Sequence, residues 1–246
     1  MVGGRVSCTE AKLSYVTHTD YLKFPSGRTV SKCRKDARKL RTDDRALALH
    51  TALDIVAKDN GIPGGWTEAL DTLLVASLER VRISKDTMSI DAIISIAKRN
   101  PSLTQYGLGI MWAERASMLG LTVEELQQRE HDSLPDMLTE CARTLAFVSL
   151  LLPQRAVNSR PMRDSYELKH VAERVFGYVT DGIYVPHGAF IVAALFQGFL
   201  PQRCAPRSAF VYFNIDEESP ILHWKGNLDS PIAYELKKRL EFYSCS

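Results

Sequence analysis

Apolar residues recur at intervals of three and four through most of this chain, the period of helices with one buried face. Cys33, Ala37 and Leu40 mark a helix over 31–41. Leu49, Ala52, Leu53 and Val56 mark a second, expected to start from a Thr42 or Asp43 cap and to run to Asp59, with Gly61 as its stop. After the turn Ile62-Pro63-Gly64-Gly65-Trp66, Thr67 is placed to cap a third, TEALDTLLVASLERV. Ser89 opens IDAIISIAKR, which Pro101 closes, and a further helix is expected over 104–119, ending at Gly120. Thr122 and Glu125 have the spacing of a capping box, and Ser133 with Pro135 opens a strongly apolar helix that reaches Pro153.

The densest signal lies in 164–215. Asp164 and Glu167 start a helix whose inward stripe is Leu168, Val171, Ala172 and Val175. Asp181-Gly182, between YVT and IYV, reads as the turn of a β-hairpin, because both central residues of a type I′ turn need positive φ, with a plain loop as the alternative. Pro186 then enters a helix that is apolar almost all round over 189–200, so it must be packed on several sides. Gly198 and Pro201 end it, and 209–215 alternates as a strand.

Strand patterning is otherwise sparse. Residues 12–30, with a Pro25-Ser26-Gly27 turn, read as a short antiparallel β element. Residues 219–224 read as a partner for the strand at 209–215, and Ser230-Pro231 as the start of a closing helix with Ala233, Leu236 and Leu240 inward and Lys237, Lys238 and Arg239 outward. The fold class is therefore mainly α (α+β), a multi-helix globular protein with a short N-terminal β element and a small C-terminal helix-hairpin-helix-strand unit. The expected organisation is an extension over 1–30, a helical domain over 31–152, a linker over 153–163 rich in Arg and Pro, and an α+β domain over 164–246.

Composition adds few restrictions. In 246 residues, 45% hydrophobic and 24% charged, the balance is that of a soluble globular chain. The five cysteines, Cys8, Cys33, Cys141, Cys204 and Cys245, are scattered, odd in number and without metal-ligand spacing, which fits reduced thiols. With no signal-peptide pattern and no apolar run of about twenty residues, a cytoplasmic protein with no membrane contact is expected.

Charge is distributed unevenly. Residues 28–45 hold eight basic residues against three acidic ones, a local charge of +5, so in a chain of net +2 the remainder carries −3. Arg34, Lys35, Arg38 and Arg41 fall on one face of the 31–41 helix, an arrangement suited to phosphate contacts with DNA or RNA, or equally to solvation beside acidic neighbours. Arg155, Arg160 and Arg163 form a second, smaller basic group, while His18 has no evident partner. The segment around Gly120 has the spacing of a helix-turn-helix, but Glu124, Glu125 and Glu130 on the would-be reading helix would repel phosphates. On the 164–179 helix, Tyr166, Lys169, His170 and Glu173 gather opposite the apolar stripe. Tyr166, Lys169 and His170 supply the groups a metal-independent nuclease would use, although most polar helix faces are simply solvated. Gly64-Gly65 lacks the lysine of a phosphate loop and no His or Cys spacing suits a metal, so no cofactor is expected.

Two stretches carry a resemblance. K-x-x-x-D-A-R-K-L, then A-L-D-I-V-A-K-D-N-G, then Trp66 and a short helix, resemble a helical module at the front of accessory proteins carried by plasmids and integrative elements. SYELKHVAE, YVPHGAFIVAALFQGF and FNI likewise resemble segments of uncharacterised mobile-element proteins, and together the matches span roughly 20–80 and 164–215. The resemblance implies no reaction and assigns no catalytic residue. The expected function is that of a non-enzymatic accessory protein of a bacterial mobile element that binds nucleic acid through the basic helix. The alternatives are an inhibitor or adaptor offering that face to a protein partner, and the nuclease.

Overall fold

The computed structural model describes residues 19–80, 87–109, 113–157, 163–205 and 208–244. His18, Arg160, Cys8, Cys245 and the first half of the expected N-terminal β element lie outside them. Eleven α-helices, one 3-10 turn and one two-stranded antiparallel sheet make up the described chain, so the molecule is mainly α.

The N-terminal layer is α1 (Val30–Asp43), α2 (Leu49–Asp59) and α3 (Trp66–Glu79), packed in sequence order. Next come α4 (Ile90–Arg99), the short α5 (Ala113–Met118), α6 (Val123–Asp132), a 3-10 turn at Leu134–Met137 and α7 (Leu138–Val148). The C-terminal part holds α8 (Ser165–Val179), α9 (His187–Phe196), β1 (Pro201–Arg203), β2 (Val211–Phe213), α10 (Pro220–His223) and α11 (Pro231–Ser244).

The centre is α9. Every residue from His187 to Ala194 is buried, as an all-round apolar helix requires, and α9 is covered by α4, α7 and α8. Phe190, Ile191 and Val192 each contribute about 1.5–3 kcal/mol by leaving water. Helix α7 in turn packs against α11, and α3 packs against α10 and α11. One buried cluster thus runs from Leu22 to Tyr243. Inside it, Arg239 of α11 donates from Nη1 to the carbonyl and hydroxyl of Ser149 at 2.7 and 2.8 Å. At Pro153 and Gln154 the backbone bridges to Asn214 and Ile215, with Gln154 N donating to Asn214 O at 2.8 Å.

Several starts follow their caps: Ser89 Oγ accepts from Ala92 N, Asp164 accepts from Tyr166 N and Glu167 N, and Thr122 with Glu125 forms the capping box. Other expectations are corrected. Helix α1 runs on through Thr42 and Asp43, so α2 begins only at Leu49, after a turn in which Asp44 accepts from Ala46 N at 3.0 Å. Thr67 does not cap α3; Asp54 accepts from Trp66 N at 2.7 Å instead. Residues 104–109 are a turn, with Thr104 bridged to Gly107, and the described helix of this stretch is α5, Ala113–Met118. The hairpin at Asp181-Gly182 is absent because α8 continues to Val179; Thr180 Oγ1 donates to Phe176 O and the following loop returns along the helix. Strand β2 pairs with 201–203, not with 219–224, which forms α10. Around Pro25-Ser26-Gly27, Lys23 and Thr29 form an isolated bridge. Arg239 points inward, and Leu40 and Leu49 are more than one-third exposed.

Candidate functional site

The basic stretch around α1 holds cations of two kinds. Arg28 pairs with Asp36, and Arg34 turns inward to pair with Asp20. Arg34 also donates to Thr19 Oγ1 at 3.1 Å and lies 5.9 Å from the Trp66 ring centroid. Burial, and secondarily the charge of Arg38, push its pKa down to about 10, so it remains a cation at neutral pH. Lys35, Arg38 and Arg41 point outward, exposed, and no ion pair joins them to an acid among the described residues. Arg38, Arg41 and Thr42 share a concave surface with Arg45, which the turn after α1 brings alongside. Three of the four cations proposed from sequence are thus exposed, two of them on this concave face, and the fourth is a structural residue. Arg45 joins them; only its place in the charge run hinted at this. On the opposite side of α1, Lys39 faces a hollow with Asp36, Asp43 and Asp59. Arg155 is exposed and Arg163 pairs with Glu217.

On α8 the three residues of the nuclease expectation do come together, around a carboxylate. Glu173 accepts from Lys169 Nζ at 3.0 Å, from His170 Nδ1 at 2.6 Å and from Val185 N at 3.1 Å. Burial raises the Glu173 carboxyl, and these three donors outweigh it, leaving its pKa below the ordinary value. Lys169 is buried, unlike the rest of the polar face, because its ammonium sits between the Tyr166 and Tyr184 rings, 5.2 and 5.1 Å from their centroids. The Tyr166 ring meets His170 edge-on at 4.7 Å. Glu173 was visible to sequence reasoning, four residues after Lys169 and three after His170. Tyr184 was not, because it belongs to the loop misread as a hairpin.

Beneath this network lies a buried Ser–His pair that the sequence did not signal. Ser165 Oγ is 2.7 Å from His187 Nε2 and accepts from Val211 N, while His187 Nδ1 is 2.8 Å from Tyr106 O. The consistent proton placement has Ser165 donating to Nε2 and Nδ1–H donating to the carbonyl. Both side chains are buried, so the pair joins four segments rather than facing a substrate. Burial pushes the His187 imidazole down to about 4, against a weaker opposing pull from Asp164. Gly107 and Gly188 permit this approach: a Cβ on Gly188 would lie 2.7 Å from Gln105 Cα, and one on Gly107 would lie 2.7 Å from His187 Nδ1.

Cys33 and Cys141 are buried and Cys204 is half-buried, all with free thiols, and burial pushes Cys141 up to about 12. Among the described residues no cluster of His, Cys, Asp or Glu has the arrangement of a metal site, and no helix is long and apolar enough to cross a membrane. No family model, curated protein or solved structure matches the chain.

Proposed function

We propose that this protein binds nucleic acid through the phosphate backbone, using Lys35, Arg38 and Arg41 of α1 together with Arg45, as a non-enzymatic accessory protein of a mobile element. The observation that carries the reading is the concave face shared by Arg38, Arg41 and Arg45, with Lys35 exposed on the same helix; none of the four has an ion-pair partner among the described residues, while Arg28 and Arg34 are paired with Asp36 and Asp20. From Lys35 to Arg41 the helix rises about 9 Å. A duplex strand presents roughly three phosphates over that length.

Duplex is favoured over single strand. Single-strand binders add aromatic side chains on which bases stack. The large exposed apolar residues of α1 to α3 are aliphatic, Leu40, Leu49, Ile55 and Val75. The mobile-element assignment rests on the resemblance of 20–80 and 164–215 alone.

Binding of the full chain to duplex DNA, single-stranded DNA and RNA across a salt series tests the proposal. Three to four phosphate contacts give a slope of log K against log salt of about −3. Changing Arg38 and Arg41 to Ala removes about two units of that slope, whereas Arg34→Ala lowers stability and leaves the slope alone. No binding to any of the three at low salt overturns the reading and turns the search to an acidic protein partner.

A further inference from the structure

A second surface has a more specific chemistry. Arg163, Glu167, His170, Val171 and Arg174 line a groove of about 370 Å³ beside α8. The imidazole in its wall is held from two sides. Glu173 takes the proton-bearing Nδ1, and Tyr166 closes on the ring edge. Glu173 cannot swing away easily, because its other oxygen is bound by the buried Lys169 ammonium and by Val185 N. In the neutral imidazole, with Nδ1–H donating to Glu173, Nε2 is the acceptor, directed away from Glu173 on a side chain that is half exposed. Arg174 is exposed and has no ion-pair partner among the described residues, and Arg163 shares its charge with Glu217.

The groove therefore combines guanidinium donors with two acceptors, His170 Nε2 and the Glu167 carboxylate. A fully ionised anion would satisfy the donors and be repelled by Glu167. A neutral molecule could accept from Arg174 but would leave its charge uncompensated. A phosphate that still carries a proton fits both: its ionised oxygens accept from Arg174, and its P–OH donates to Nε2 or to Glu167. A phosphodiester has no such hydrogen. We propose that this groove binds the terminal phosphate of a monoester, as hydrogen phosphate, with Arg174 and His170 as direct ligands and Glu173 as the positioning residue. The inference is independent of the duplex-binding role of α1, since inorganic phosphate alone tests it.

The measurement is side-chain nitrogen NMR of His170 in the full chain, titrated with inorganic phosphate and, separately, with sulfate, which carries no proton near neutral pH. A saturable phosphate shift at His170 Nε2, much weaker with sulfate, is expected. Arg174→Gln, an exposed change that leaves the fold intact, should weaken phosphate binding about tenfold or more, the value of a charge-assisted hydrogen bond. Glu173→Gln should weaken it while moving the Nδ1 resonance, and Glu167→Gln should narrow the preference for phosphate over sulfate. Equal response to sulfate, or unchanged affinity in Arg174→Gln, overturns the proposal. Competition by a 5′-phosphorylated duplex but not by its 5′-hydroxyl counterpart assigns the phosphate to a nucleic-acid end; competition by a small monoester alone assigns it to a free ligand.

Discussion

His187 carries a charge-dependent share of the stability. In the folded chain its pKa is about 4, against 6.5 for the unfolded reference. Between those values the unfolded chain binds the proton and the folded chain does not, so acidification favours unfolding. The contribution is complete above pH 6.5 and disappears as the pH falls toward 4; at 1.36 kcal/mol per unit it amounts to about 3 kcal/mol. Urea unfolding across this window should show that loss, and His187→Gln should flatten it; an equal slope in the variant would remove His187 as its source. Nothing in the sequence announced this residue. His187 follows Pro186 at a helix entry, and its partners Ser165 and Tyr106 lie 22 and 81 positions away, beyond the reach of periodicity.

For the elements, legibility followed the range of the deciding interaction. Helices α4, α6 and α8 began where Ser89, Thr122 and Asp164 said they would, because a cap bonds to amides two or three residues away. The start of α2 was misplaced because α1 runs on to Asp43 and a local turn at Asp44 follows, and the turn at 104–109 because tertiary packing decided it. Helix α9 illustrates the second case. Its Gly188 lies against the backbone of Thr104 and Gln105, and Gly188 N donates to Gln105 O at 2.8 Å. Gly188→Ala forces the turn off the helix and should cost about 1–3 kcal/mol. Gly177 of α8 has open space where its Cβ would be, so Gly177→Ala should stabilise by about 0.5–1 kcal/mol through helix propensity. Thermal unfolding of the two variants checks both signs; destabilisation by both would mean that helix backbone strain, not packing, dominates. The basic face of α1 was legible for the same local reason: its exposed cations repeat at helical spacing, whereas the inward turn of Arg34 depends on Asp20 and Trp66.

At the scale of the molecule, α7 is the shared wall. It packs on α9 at one side and on α11 at another, and one buried cluster takes in residues from both sides of 153–163. Unfolding should therefore be a single cooperative transition, and calorimetry would show calorimetric and van't Hoff enthalpies that agree. Two resolved transitions would mean that the parts on either side of 153–163 melt as separate units. The sequence suggested a boundary there because Arg and Pro without periodicity look like a tether; it carried no sign that Gln154 is bonded to Asn214, sixty residues on.

The bond from Arg239 to Ser149 sets an order of events during synthesis. Until α11 has left the ribosome, the face of α7 that it covers has no apolar neighbour to replace water, and Ser149 lacks its guanidinium donors. A nascent chain ending before Pro231 is consequently a sticky intermediate, one that chaperones should recognise and that closes only when α11 arrives.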